Sequence, residues 1–142
     1  MNKLVCLIIA SLGLFSGCRT HHAATTIPFS ELQGEWNVIE LNGASLNPKE
    51  THQFLSFDTE SKRLSGNAGC NRIMGSLAYD AQQSDAIRFP QIATTRMACP
   101  DMKGEQELLQ TLDKVARFGS EKANTVALYD QQGQKLLVLK RK

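Results

Sequence analysis

The sequence predicts a mainly β, α+β fold: one small antiparallel sheet of about eight strands, curled or cracked into a barrel-like form, with one packed α-helix. Three observations lead there. Short stretches with apolar side chains at alternate positions recur between Trp36 and Leu139, each bounded by turn residues. A single stretch, Asp101–Val115, changes to helical spacing. No internal repeat or low-complexity block interrupts the 142 residues, a length that suits one domain.

The first segment stands apart from the fold. Asn2 and Lys3 make a short polar, positive start, Leu4–Phe15 is an apolar run, and Ser16 and Gly17 are small. Crossing a bilayer takes about 20 apolar residues, more than this run supplies, so residues 1–17 read as a signal peptide. Its end, Leu14-Phe15-Ser16-Gly17-Cys18, resembles the lipobox of bacterial lipoproteins, with Phe15 where Leu is more usual. The resemblance implies that Cys18 becomes the acylated first residue of the mature protein; ordinary signal cleavage nearby is the alternative. Several acyl chains anchor stably where one alone is marginal. Cleavage removes one cation, Lys3, and leaves 15 basic and 14 acidic side chains, so attachment rests on lipid and not on net charge. Arg19, in place of an Asp after the cysteine, is similar to enterobacterial sorting patterns that favour the outer membrane, facing the periplasm. Residues 18–31 show no apolar period and read as a flexible tether, with the folded domain at 32–142. His21 and His22 lie in it without further ligands, and His52 is the only other histidine, so no metal is expected.

Ser30 and Glu31 introduce a turn before the first strand, Trp36–Leu41, where β-branched Val38 and Ile39 and the aromatic ring favour extended backbone. The sole tryptophan is read as a core anchor. Asn42-Gly43 then makes a turn. Gln53–Phe57 sets Leu55 and Phe57 on one face and Phe54 on the other; Arg63–Asn67 follows. Met74–Tyr79 is the fourth strand, with Leu77 and Tyr79 sharing a face, and Ala86–Phe89 the fifth, ended by Pro90. In the helix Leu108, Leu109, Leu112 and Val115 recur on one side, while Lys103, Glu105, Gln106, Gln110, Asp113 and Lys114 fall largely on the other. Pro100 suits its first turn, and Asp101 and Glu105 suit the positive end of its dipole. Arg117–Glu121, Thr125–Tyr129 and Lys135–Lys140 close the sheet, the last two joined through Asp130–Gly133. Leu136–Leu139 is apolar on both faces, which predicts a strand covered on both sides.

Gly66, Gly69 and Gly75 crowd into a loop where the backbone visits positive φ or approaches another segment closely. Cys70 sits there between Asn67 and Asn71, whose amides can bond neighbouring backbone. Cys6 leaves with the leader and Cys18 is acylated, so Cys70 and Cys99 remain as an even pair in an oxidising envelope, where a disulfide is expected. Two free buried thiols are the alternative. Ser65-Gly-Asn-Ala-Gly-Cys-Asn-Arg72, Gly75-Ser76 and Thr95-Arg-Met-Ala-Cys-Pro100, with Leu32-Gln-Gly-Glu-Trp36, Val38 and Leu41-Asn-Gly43 upstream, resemble the META domain family, which includes heat-shock lipoproteins of the HslJ kind. The resemblance runs over Leu32–Leu139. It implies a small β-rich, barrel-like domain with one helix and no established enzymatic reaction.

The residues themselves offer little for catalysis. No G-x-S-x-G is present, His52 is the only histidine outside the tether, and a bridge would consume both domain thiols. The glycine loop lacks a Gly-Lys-Ser/Thr ending and runs into no helix, so no phosphate cradle and no cofactor are expected. Asp58, Glu60, Asp80 and Asp85 fall at turns, where acids are usually solvated. Asn71, Arg72 and Arg96 form the candidate functional surface: brought together, the two arginines would hold an anion or carboxylate. The alternative is that each ties down its loop through backbone carbonyls or a nearby Asp. No Lys/Arg run exceeds Lys140-Arg141-Lys142 and the net charge is +2, which argues against nucleic acid. The expected function is that of a monomeric, non-enzymatic envelope lipoprotein in stress tolerance or envelope maintenance, binding a protein or an apolar ligand. A pilot- or carrier-type lipoprotein holding an acyl chain is the alternative, and needs a hollow interior. An enzyme would need a cleft where His52 or an acidic pair meets a nucleophile.

Overall fold

A computed structural model describes residues 24–142. The leader, Cys18, His21 and His22 lie outside the described residues. The described residues form eleven strands: β1 Gly34–Leu41, β2 Ala44–Ser45, β3 Phe54–Asp58, β4 Arg63–Asn67, β5 Arg72–Ser76, β6 Ala78–Tyr79, β7 Ile87–Arg88, β8 Ala93–Thr94, β9 Arg117–Lys122, β10 Thr125–Tyr129 and β11 Lys135–Arg141. Nine of them form one antiparallel sheet in the order β8-β5-β4-β3-β1-β11-β10-β9, with β2 paired to β1; β6 and β7 make a separate hairpin. The sheet is not closed into a barrel. Where β9 would otherwise be bare, Phe118 N donates to Asp85 O at 2.9 Å and Ile87 N to Ala116 O at 3.1 Å, so the β6–β7 hairpin continues the curl beyond it.

Local chemistry explains the turns. Asn42 and Gly43 both have positive φ, 49° and 84°, which a two-residue hairpin between β1 and β2 requires if it is to match strand twist. Helix α1, Pro48–Thr51, is opened by Asn47, whose side chain accepts from Lys49 N at 3.1 Å. Helix α2, Lys103–Leu112, buries Leu108 and Leu112 in the core.

The core is filled by side chains. Trp36, Phe57, Phe118, Leu55, Leu64, Ile73, Ile87, Leu128 and Leu137 are all buried in it. Trp36 is the anchor the sequence suggests, with its Nε1 donating to Leu32 O at 2.7 Å. Leu136, Leu137, Val138 and Leu139 are all buried, as a strand covered on both sides requires.

Several expectations need correction. The fourth strand does not run over Met74–Tyr79: β5 begins at Arg72, and at Leu77, whose N donates to Lys62 O at 2.9 Å, the chain leaves the sheet for the hairpin. Pro100 is outside α2: it sits in a bend after the bridged Cys99, and the helix begins at Lys103, whose N donates to Asp101 Oδ1 at 3.0 Å. The tether read over 18–31 does not extend through its second half. Thr25 N donates to Ser120 O at 3.1 Å and Ser120 N to Thr25 O at 2.9 Å, Ile27 packs on the core, and Phe29–Leu32 forms a 3₁₀ turn. The Phe29 ring stacks on Tyr79 at 4.1 Å and meets Phe118 edge-on at 6.4 Å. Two apolar side chains and an unpaired strand edge together draw this segment onto the domain.

Candidate functional site

The glycine loop joins β4 to β5, and its path needs glycine at two positions. A Cβ on Gly66 would overlap the Phe54 carbonyl of β3, and Gly69 has φ +129°. Asn67 Oδ1 accepts from Gly69 N at 2.7 Å and Ala68 N donates to Asn71 O at 2.8 Å, closing the loop on itself. Cys70 is joined to Cys99 in a disulfide, with Cα atoms 6.3 Å apart.

Beneath the bridge lies a polar clasp. Glu105, in the first turn of α2, accepts from Cys70 N at 3.1 Å and Asn71 N at 2.7 Å through one oxygen, and from Asn71 Nδ2 at 2.7 Å through the other. Asn71 Oδ1 in turn accepts from Thr95 Oγ1 at 2.8 Å and Met97 N at 2.7 Å, and Nδ2 also donates to Met97 O at 3.2 Å. Every donor and acceptor of the Asn71 amide is therefore used. Gln53 adds a second tie, its Nε2 donating to Ala68 O at 2.8 Å and Gly104 O at 3.0 Å. Burial disfavours the Glu105 charge, but the hydrogen bonds from Asn71 N, Asn71 Nδ2 and Cys70 N outweigh it and hold the carboxyl below its usual range. The helix N-terminus favours the same sign of charge. A carboxylate so saturated is a structural acceptor and a poor base.

The residues proposed from sequence separate. Asn71 is buried and committed inward, so it does not belong to a surface with the arginines. Arg72 and Arg96 are both exposed, and among the described residues neither guanidinium enters a salt bridge. The contacts between their two segments run through backbone and Thr95: Arg72 N donates to Thr95 Oγ1 at 3.1 Å and Thr95 N to Arg72 O at 3.2 Å. Arg72 lines a cleft of about 500 Å³ on the outer face of the sheet with Phe54, Ser56, Ser65 and Met74; Arg96 does not line it. A second cleft, about 580 Å³, opens between Phe89–Gln91, the end of α2 and the β10–β11 turn.

His52 ends α1 with φ 56° and is exposed. Asp58 and Asp80 cap their own turns, accepting from Glu60 N, Ser61 N and Gln82 N. Among the described residues no group of three His, Cys, Asp or Glu side chains converges as a metal site would require. Glu105, read from the sequence at the positive end of the helix dipole and on the polar side, is instead buried, and Gln53, read only as the start of a strand, organises the loop with it. A signal existed for Glu105: it precedes Leu108 by three residues and Leu112 by seven, which puts it on the apolar face of the helix.

A family model for the META domain matches residues 30–142, most of the chain. The chain belongs to the META domain family. No relative is found among curated proteins. Two solved structures share the fold of this META domain. A protein from Burkholderia xenovorans, determined by NMR, is 21% identical with a TM-score of 0.60, covering 100% of this chain and 99% of that one. A DUF4847 family protein from Bacteroides vulgatus is 14% identical with a TM-score of 0.55, covering 80% of this chain and 96% of that one.

Proposed function

We propose that this META domain protein is a non-enzymatic lipoprotein of the bacterial envelope, acylated at Cys18 and held at the outer membrane facing the periplasm. It serves stress tolerance or envelope maintenance by binding a protein or an apolar ligand at its surface. The observation that carries this reading is the Cys70–Cys99 bridge. A bridge suits an oxidising compartment, withdraws both domain thiols from nucleophilic chemistry, and leaves Cys18 as the one cysteine of the mature chain available to lipid. The packed interior favours binding on the outside: a carrier would need an apolar cavity for its acyl chain, and aromatic and leucine side chains occupy the middle of the sheet. The outer-face cleft with half-buried Phe54 and exposed Met74 supports a surface mode.

Metabolic labelling with palmitate tests the anchor. Label is expected on the wild type and absent from Cys18→Ser, which should appear in the soluble fraction. An unlabelled wild type would sink the proposal. Cross-linking in intact cells followed by mass spectrometry tests the surface: a protein or lipid trapped by the wild type should be lost with Met74→Glu, and equal trapping by both would move the binding site elsewhere.

A further inference from the structure

Register places one continuous row across seven strands on the outer face: Lys122, Thr125, Lys140, Asn37, Phe54, Asn67 and Arg72. Their neighbours Trp36, Leu55, Ile73, Val126 and Leu139 point into the core, so these residues point away from it. The row contains three cations and no acid. Each of the two adjacent rows contains one acid, and both are paired: in Glu35, Ser56, Ser65, Met74 and Ala93, Lys142 Nζ lies 3.0 Å from Glu35 Oε2 and 4.2 Å over the Phe54 ring, and in Gly119, Ala127, Val138 and Glu40, Lys135 Nζ lies 3.8 Å from Glu40 Oε1. Lys122, Lys140 and Arg72 are exposed, and among the described residues none enters a salt bridge. In a chain whose mature net charge is close to zero, this is a marked segregation of cations. Met74 stands out of the same face, 53% exposed.

The position of the chain's front end gives the row an occupant. Ala24 lies against Gly119, and Thr25 pairs with Ser120, two residues from Lys122. From Cys18 to Ala24 are six residue steps, which span at most about 20 Å fully extended. A domain of this size has a radius of gyration of about 13 Å, so such a link cannot let it tumble freely over a surface. We infer that the outer sheet face carrying Lys122, Lys140, Lys142 and Arg72 lies against the membrane and takes anionic phospholipid headgroups, with Phe54 and Met74 as its apolar element. This rests on acylation at Cys18. Anionic lipid attracts basic side chains within a Debye length of about 8–10 Å, and a link of at most about 20 Å keeps the β9 side near enough to the surface for the cations to reach that distance. Small polar residues between the cations, Ser56, Ser65 and Thr125, let the headgroups approach the sheet.

The native lysines report on the arrangement. Acylated protein purified from membranes would be reconstituted in vesicles of phosphatidylethanolamine with phosphatidylglycerol, or of phosphatidylcholine alone, and acetylated briefly, with the rate at each lysine read by mass spectrometry. Lys122 and Lys140 should react roughly five-fold more slowly on the anionic vesicles, the factor one cation gains at such a surface. Lys103 on α2 and Lys114 in the turn after it should react at the same rate on both. The double variant Arg72→Glu with Lys140→Glu should restore the rate at Lys122 while leaving the unfolding midpoint unchanged. Equal rates at Lys122 and Lys140 on the two lipids, or uniform slowing of every lysine, would overturn the inference with the anchor intact. A protein that fails to float with vesicles and has an unacylated N-terminal peptide would overturn the anchor and this inference together.

Discussion

At the scale of single residues, Asn71 and Glu105 divide the work of holding the glycine loop. Asn71 ties β5 to the Thr95–Met97 segment, and Glu105 ties both to α2. Removing the amide strands partners that are buried or half-buried, and unsatisfied buried groups cost about 1–3 kcal/mol. Asn71→Ala should therefore lose about 2–3 kcal/mol in urea unfolding at neutral pH; a loss below about 0.5 kcal/mol would mean that water takes over the bonds. Glu105 makes the same clasp sensitive to acid. Its folded-state pKa lies below that of an unfolded glutamate, so its contribution is fully present above the unfolded pKa and is lost as pH falls through the depressed folded one. Unfolding free energy measured from pH 7 down to pH 3 should drop more steeply for the wild type than for Glu105→Gln. Asp58, also lowered, here by hydrogen bonds from Ser61 first, titrates in both proteins and cancels in the difference. Parallel pH curves would remove Glu105 from the acid response. Sequence made the loop and both its cysteines legible, because Gly, Asn and Cys reveal their roles by type. It hid the clasp, because nothing in a charged residue's identity tells whether it faces water, and only the three- and seven-residue spacing to Leu108 and Leu112 betrayed Glu105.

At the scale of elements, the bridge and the clasp both fasten the glycine loop to the Thr95–Cys99 segment, and the clasp alone adds the start of α2. They act on different states of the chain. The bridge limits the unfolded ensemble, and for a sequence separation of 29 it contributes roughly 3 to 4 kcal/mol in the chain-entropy model. The clasp acts only in the folded state. Cys70→Ala with Cys99→Ala should therefore lower stability by roughly that amount while the Asn71 amide stays protected from exchange, since Glu105 still accepts from it. Loss of that protection at pH 7 in a protein that remains folded would show that the bridge, and not the carboxylate, positions the loop. The strands legible in the sequence were the longer ones: β1, β3, β4, β9, β10 and β11 fall where the apolar pattern puts them, β11 through an unbroken apolar run and not an alternation. Two-residue β2 and β8 carry no period to read, and four-residue α1 depends on Asn47 and Pro48 rather than on an apolar face. The break at Leu77 was invisible because its side chain keeps the alternation while its backbone changes partner.

At the scale of the whole molecule, an open sheet must deal with two edges, since unpaired strand backbone invites other chains. One edge is β8, only two residues long. The other is β9, and its outer side is shared between Asp85–Ile87 and Thr25, so strand backbone is bonded from Ala116 to Ser120. The segment around Thr25 looked like free chain because its composition is polar; its pairing uses backbone atoms, which composition does not report, and only Ile27 and Phe29 hinted at burial. Phe29 is the pin, stacked on Tyr79 and edge-on to Phe118. The wild type should therefore run as a monomer in light scattering at tens of micromolar. Phe29→Ala should lose about 1–3 kcal/mol, because a partly buried ring is truncated and an aromatic pair is lost. If the strap guards the edge, the Ser120 amide should exchange faster than the drop in global stability explains, and the variant should associate as its concentration rises. Ser120 exchange that merely follows global unfolding, in a variant that stays monomeric, would mean that β9 needs no cover and that the strap is held by Phe29 for another reason, such as setting where the chain leaves toward Cys18.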